Sequence, residues 1–512
     1  MAGPNETRPL ARRLVTNTLH AASGRLVALV LWLALTPAIL HAIGTDGYAV
    51  WSFVFALTGY LNAFDLGLAA GTLRNVAAAR AREDHVDAGR YATLGVLGYV
   101  ALGALWLALT PFVQAPVLAF LRVPDRVLSD ASFAFVLGAG IFMLMGLTNV
   151  TLSVAQGYGR FDLANGVAMT SSVGQVAGIL FALGRHLGLP GILVATAVAW
   201  GIAWLTGLVL LRLFVPAFRW ADPVRAWARV RETFAFGGPM QVSKVLAVTH
   251  QQLDKILLSR WGQFSLVTPY DLALRAVTAA STLPQLLLLA VMPEAAAMHA
   301  DGQPGRLESL FHRGTRWVLF ASALVVAALL GAADRIFVAW IGHADPAAAL
   351  ALRGLALTAA AAHATGMGIA IARGIGRTDL EAETAFVELV AHLGLGVWLV
   401  PRMGLAGALV AVLAGNVVGS VWFMWRLSGL LRWRLVPTVF APLAVPALAV
   451  ALGALAGAAL ARALPDAAGA GAWFAAIATA GAAGIAVVAV TFGSRYITIP
   501  EVRELLGNRR AG

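Results

Sequence analysis

Apolar stretches long enough to cross a lipid bilayer follow one another along almost the whole of this 512-residue chain. A hydrocarbon core about 30 Å thick takes roughly 20 helical residues to span. About fourteen runs of that length are delimited by charge, glycine or proline. The first two lie at roughly 22–43 and 47–71, the seventh and eighth at 233–262 and 267–298, and the last two at 437–462 and 470–493. Backbone groups inside hydrocarbon must find their partners within the protein, so consecutive runs of this length read as helices. With 60% apolar and only 12% charged residues, and a mean hydropathy of +0.80, the expected fold class is an all-α polytopic membrane protein.

Arg8, Arg12 and Arg13 precede the first run as they would in a secretory leader. That run is long and no small-residue cleavage site follows it, so it reads as an uncleaved first span. The chain has no cysteine, which removes disulfides, thiolate metal sites and cysteine nucleophiles from consideration. A net charge of +12 could suggest a nucleic-acid surface, but its distribution argues otherwise. With the N-terminus inside, 26 Lys/Arg fall in cytoplasmic segments and seven on the opposite side. This is the positive-inside bias, which predicts cytoplasmic termini and no nucleic-acid partner. Trp51, Trp261, Trp317 and Trp340 stand near predicted span ends, where an interfacial belt is expected.

The heptad "GYGRFDL" at 157–163 returns as "GIGRTDL" at 374–380, after the fourth and tenth runs. "GLPGILVATAVAW" from 188 likewise answers "GLAGALVAVLAGN" from 404. Six runs separate the copies, so both lie on one membrane face. Such a repeat predicts two six-helix bundles related by an axis along the membrane normal. The expected organisation is an N-terminal lobe over 1–215, a linker over 216–232, a C-terminal lobe over 233–427, and two further helices with a cytoplasmic tail over 428–512. The linker places Trp227, Val230 and Phe234 on one helical face and Arg225 and Arg229 on another, the pattern of an interfacial amphipathic helix. In each heptad the glycines suit a tight turn, Arg160 and Arg377 can reach lipid phosphates, and Asp162 and Asp379 can cap the following helices.

Charged side chains inside the runs single out candidate functional residues. Both lysines of the chain, Lys244 and Lys255, lie in the seventh run. At 100° per residue they share a stripe with Gln241 and Gln251. A central Lys or Asp costs roughly 2.5–3.5 kcal/mol to insert, so that stripe must face a cavity or a partner. Arg275 and Asp271 enter the eighth run from the outer side, Arg25 stands at the inner mouth of the first, and Asn62 and Asp65 lie in the second. Arg25, Lys244, Lys255 and Arg275 could form a ladder of cations for an anionic passenger. They could equally be ion-paired within the bundle by Asp65, Asp254 and Asp271. In the eleventh run Glu388 and His392 are spaced i, i+4, as a proton relay or a local hydrogen-bonded pair would be. No catalytic constellation, metal set or cofactor motif stands out, and the outer segments are too short for a large catalytic loop.

The "RFDLAN" turn after the fourth run, "QQLDKILLSRWG" in the seventh, and "YDLALR" followed by "LPQLLLLAVMPEAAAMHADG" in the eighth resemble the polysaccharide and oligosaccharide flippases of the MOP superfamily (multidrug, oligosaccharidyl-lipid, polysaccharide). The resemblance covers nearly the whole chain. It implies a V-shaped pair of MATE-like bundles in the bacterial inner membrane, opening alternately to either side around spans 1, 2, 7 and 8. It also implies a polyprenyl diphosphate-linked glycan as substrate, membrane lipids as surroundings, and polymerase and assembly proteins as partners. Arg25 and Arg275 match basic cavity positions of related lipid-linked precursor flippases. Span 2 offers Asn62 and Asp65 instead of arginine, which points toward an O-antigen or exopolysaccharide unit and away from a peptidoglycan precursor. Two other readings remain open. One is a multidrug exporter on the same fold, although cationic drugs favour acidic cavities. The other is a polyprenyl-dependent glycosyltransferase or polymerase, although no Asp-x-Asp occurs in the chain.

Overall fold

The computed structural model describes the backbone of residues 10–63, 67–288, 291–302, 304–434, 436 and 441–502. Side chains are described for all of these except 10–29, 61–63, 231, 233–244 and 304. Among the described residues there is no strand. The helices are α1 (Leu10–Ala63), α2 (Leu68–Ala81), α3 (His85–Phe120), α4 (Leu128–Gly157), α5 (Phe161–Gly184), α6 (Gly188–Phe214), α7 (Pro223–Trp227) and α8 (Val230–Trp261). They continue with α9 (Val267–Leu286), α10 (Val291–Ala300), α11 (Pro304–Ile341), α12 (Pro346–Gly374), α13 (Asp379–Met403), α14 (Leu405–Leu431), α15 (Ala444–Ala463) and α16 (Ala470–Gly493). Large apolar side chains such as Phe112, Phe181, Leu213 and Ile485 are exposed on these helices. A surface of that kind is stable only against lipid, so the chain is a multi-pass membrane protein.

Twelve of the described segments are long and apolar enough to cross a membrane, not the fourteen expected from sequence. Two causes account for the difference. The first and second runs form one helical stretch of 54 residues, about 81 Å if straight, which is far longer than a bilayer core. It is two helices meeting at Gly44, where φ is 72° and ψ 176°, a backbone state open to glycine. The seventh run is α8, whose side chains at 233–244 lie outside the described residues. The eighth run is not one helix but breaks into α9 and α10, close to Pro284 and Pro293.

The chain divides into two units, Met1–Val248 and Thr249–Gly512. Within the first, α6 packs on both α4 and α5; within the second, α14 packs on both α12 and α13. The contact of Gly207 with Thr151 in one is answered by that of Phe423 with Gly368 in the other. The small partner has changed sides while the helix pair is kept, which is how a duplicated bundle conserves volume as its sequences drift.

The repeated heptads form two corners. Gly159 and Gly376 take φ of 74° and 78°, as the turn requires. Asp162 and Asp379 stand in the first turn of the following helices, whose N-cap positions are Arg160 and Thr378. Each accepts a two-pronged bond from its own arginine, Arg160 at 3.0 and 2.8 Å and Arg377 at 2.9 and 2.8 Å. A planar guanidinium matches both carboxylate oxygens, which a single backbone N–H cannot do.

The linker also departs from expectation. In place of one amphipathic helix, α7 ends at Trp227 and a turn leads into α8. Val224 and Trp227 are exposed, as lipid contact would require. The segment is held against α3 of the same unit. Arg229 Nε donates to Asp87 at 2.9 Å, Ala221 N donates to Thr93 Oγ1 at 3.1 Å, and Tyr91 donates to Glu232. Gly89 lies so close that an added Cβ would sit 2.0 Å from the Arg219 carbonyl oxygen. Trp51 does not join an interfacial belt. It is fully buried, packed on Tyr48 and Phe55 with centroids 5.1 and 4.8 Å away.

In the second unit α15 and α16 pack on α11 through small residues. A Cβ on Gly331 would meet Gly457 Cα at 3.1 Å, and one on Gly453 would meet Ala483 O at 2.8 Å. Close backbone approach of this kind supplies the van der Waals contact that holds helices together where water cannot drive them. Arg335 of α11 fastens the far end. Its Nη2 donates to Ala461 O at 2.6 Å and Leu464 O at 2.7 Å, and its Nη1 to Asp466 at 2.9 Å.

Candidate functional site

The polar residues of α8 and α9 meet inside the second unit. The two helices are joined by the short turn at 262–266, so neighbouring positions on α8 and α9 face each other. Lys255 Nζ lies 2.5 Å from Asp271 Oδ1, with side chains only 5% and 4% exposed. Arg275, one turn further along α9, sets its Nε 2.7 Å from Asp271 Oδ2 and keeps 26% of its side chain exposed. One carboxylate thus holds two cations, one buried and one partly exposed.

One residue away, a second network begins. Asp254 is 1% exposed. Its Oδ2 accepts the Tyr270 hydroxyl proton, and its Oδ1 lies 2.8 Å from His392 Nε2 on α13. His392 Nδ1 is 3.4 Å from His250 Nδ1 on α8. His250 Nε2 is 3.2 Å from Asn416 Nδ2 on α14. Only one set of neutral tautomers satisfies every contact. Asn416 donates to His250 Nε2, His250 Nδ1–H donates to His392 Nδ1, and His392 Nε2–H and Tyr270 both donate to Asp254. A proton added to the pair would set N–H against N–H, so the two rings can share one proton between them but have no place for a second without moving apart. Gly415 makes room for this arrangement, since a Cβ there would stand 2.8 Å from His392 Cβ.

The residues expected from sequence are therefore distributed unevenly. Lys255, Asp271 and Arg275 converge. Lys255 does not face open space but is buried against Asp271, while Gln251 is exposed. The side chains of Arg25, Asn62, Gln241 and Lys244, and Asp65 altogether, lie outside the described residues. His392 does not pair with Glu388, because both its ring nitrogens are engaged elsewhere. Glu388 packs on Gly419, where a Cβ would meet its Cγ at 2.0 Å. His250, Tyr270 and Asn416 were missed. The i, i+4 spacing of His250 and Asp254 in "THQQLDK" was a usable signal for the first; nothing local marks Asn416. Among the described residues no three His, Asp or Glu side chains are arranged to hold a metal ion.

No family model matches the sequence. A protein of Shigella flexneri described as "Putative O-antigen transporter" is 22% identical over 264 residues, which is 50% of this chain and 60% of that protein's length. The structure is similar to the lipid II flippase MurJ in an inward closed conformation, with a TM-score of 0.71 at 11% identity over 94% of this chain and all of the other. It is also similar to an inward-facing multidrug resistance MATE family transporter, with a TM-score of 0.68 at 18% identity over 80% of this chain and 96% of the other. At these identities the structural likeness concerns the architecture, and it is shared with an outward-facing MATE transporter at a TM-score of 0.57. The chain shares the fold of these solved structures.

Proposed function

We propose that this protein is an alternating-access flippase that carries a polyprenyl diphosphate-linked oligosaccharide, an O-antigen or exopolysaccharide repeat unit, from the cytoplasmic to the outer leaflet of the bacterial inner membrane. The observation that supports it most is the pair of cations on one buried carboxylate. Lys255 and Arg275 both hold Asp271, and 26% of the Arg275 side chain is exposed. A diphosphate leaving water needs charge-assisted donors, and a guanidinium supplies them in the geometry that phosphate oxygens favour. Arg25 and Lys244 extend the cationic path in this reading, and Asn62, Asp65, Gln241 and Gln251 supply polar contacts to the head group. The polyprenyl tail stays in lipid. Relatives described as an O-antigen transporter and a lipid II flippase lend the substrate class further support. A multidrug exporter would need an acidic site for cationic drugs, and Asp271 already holds two cations.

Ion coupling, first sought at Glu388 and His392, is better served by His250, His392 and Asp254, where uptake of a proton would break the contact between the two rings and so tie protonation to movement of α8 against α13. The test is genetic and chemical. Cells lacking the protein should accumulate the complete lipid-linked repeat unit on the cytoplasmic leaflet. Wild type should clear it, and Arg275→Ala or Lys255→Ala should not, although both reach the membrane. His250→Asn should flatten the dependence of transport on pH. Normal clearance by both cation variants would overturn the cationic site. Dye uptake by everted vesicles that depends on Asp271 but not on Lys255 or Arg275 would favour the multidrug exporter.

A further inference from the structure

The two heptad corners are built alike but finished differently. In the first unit Arg160 uses all of its guanidinium: Nε and Nη2 hold Asp162, and Nη1 donates to Phe214 O at 3.0 Å at the end of α6. The Phe214 ring lies 5.7 Å from the guanidinium carbon. α14 corresponds to α6 without a gap, since both begin at a positive-φ glycine, Gly188 and Gly404, and Leu430 stands where Phe214 does. Three neighbouring exchanges change the corner. Val209, Leu210 and Leu213 are replaced by Trp425, Arg426 and Gly429.

The consequence is a cavity of about 320 Å³ in the second unit, lined by Arg377, Leu380, Trp425, Arg426, Gly429 and Leu430. Gly429 lines it, and a Cβ there would meet nothing within 4 Å. Both arginines line it and no acid does. Asp379 takes Nε and Nη2 of Arg377. Glu383 takes Nη2 of Arg426 at 3.1 Å. Among the described residues this leaves Nη1 of Arg377, and Nη1 and Nε of Arg426, as donors without an acceptor. The carboxylates hold the forks in position from outside. Trp425 and Leu430 are 54% and 41% exposed beside them, so the cavity is cationic at one edge and apolar at the other.

We propose that this corner binds the phosphodiester head group of an anionic phospholipid, with an acyl chain lying along Trp425 and Leu430. A phosphate oxygen pair matches the free guanidinium edges, and the aromatic–apolar flank suits the glycerol and upper chain region. The corner lies on the face that the positive-inside bias assigns to the cytoplasm, where anionic lipid gathers juxtamembrane arginines. At the first-unit corner Asp162 and the Phe214 carbonyl together engage Nε, Nη2 and Nη1 of Arg160. None of this depends on what the protein transports.

Native mass spectrometry of the purified full-length chain tests it, titrating phosphatidylglycerol, phosphatidylcholine and a polyprenyl phosphate in turn. Wild type should hold one phosphatidylglycerol in preference to phosphatidylcholine. Losing a charge-assisted bond costs about tenfold or more in affinity, so Arg377→Ala/Arg426→Ala should weaken that site about a hundredfold. Gly429→Leu, which rebuilds the first-unit corner in open space and keeps both charges, should also abolish it. Arg160→Ala should leave it intact. Equal retention by wild type and Gly429→Leu, or no preference between the two phospholipids, would refute the site. Preferential capture of the polyprenyl phosphate over phosphatidylglycerol would overturn the assignment to a membrane phospholipid.

Discussion

Replacing Asp271 by asparagine should unfold the second unit far more readily than removing either cation it binds. At 2.5 Å from Lys255, two unit charges attract by roughly 7 kcal/mol at an effective dielectric of 20. Most of that is offset by the desolvation both ions suffered when the pair was buried. Deleting one partner does not return the desolvation of the other, so breaking such a pair costs about 3–5 kcal/mol. Asp271→Asn takes the carboxylate away from an ammonium that is 5% exposed, and should cost that amount. Lys255→Met leaves Asp271 with Arg275 and should cost about 1–2 kcal/mol, a packing loss rather than an unpaired charge. Arg275→Gln should cost about 1 kcal/mol, since water screens that side chain. The double variant Asp271→Asn/Lys255→Met removes that ammonium as well and should recover most of the loss. Denaturant titration in mixed micelles, closed as a double-mutant cycle, measures all four. If Asp271→Asn were as stable as wild type, or if Lys255→Met failed to rescue it, the buried pair would not be carrying opposite charges.

Two further outcomes follow from close contacts. Arg335→Ala removes four bonds that hold the α15 terminus, and should lower stability by about 2–4 kcal/mol and expose 464–469 to protease; Asp466→Asn removes only an ion pair whose carboxylate is fully exposed and should leave stability unchanged. Gly89→Ala drives a methyl into the Arg219 carbonyl and should cost about 3 kcal/mol, seen as protease cleavage within 216–229. Gly166→Ala, whose Cβ would meet nothing within 4 Å, serves as its neutral control.

Periodic apolar runs and the repeated heptad carried most of the architecture. Both depend on properties a sequence displays directly: span length against bilayer thickness, and a duplication that preserved order. The runs at 22–43 and 47–71 meet at Gly44 within one helical stretch, and the seventh run is α8. The reading departs from the structure where a side chain had more than one possible partner. Asp162 and Asp379 had two available uses, and the guanidinium two residues back engages both oxygens of each. Trp51 looked interfacial from its position in the run, yet three aromatic neighbours from the same helical stretch bury it. At the site, the lysine stripe on α8 was visible by helical arithmetic, and Arg275 with Asp271 by an i, i+4 spacing.

The sequence by itself determined that the chain is helical and membrane-embedded, that its bundle is duplicated, and that both of its lysines lie on one helix, because each of these follows from local composition and spacing. Only the tertiary structure decided who pairs with whom. Lys255 was drawn onto Asp271, His392 turned from its own helix toward Asp254 and His250, and two nearly identical corners became one closed turn and one open cavity. Those choices depend on distances between helices far apart in the chain and on the space left by glycines such as Gly415 and Gly429, which no spacing along a single helix encodes.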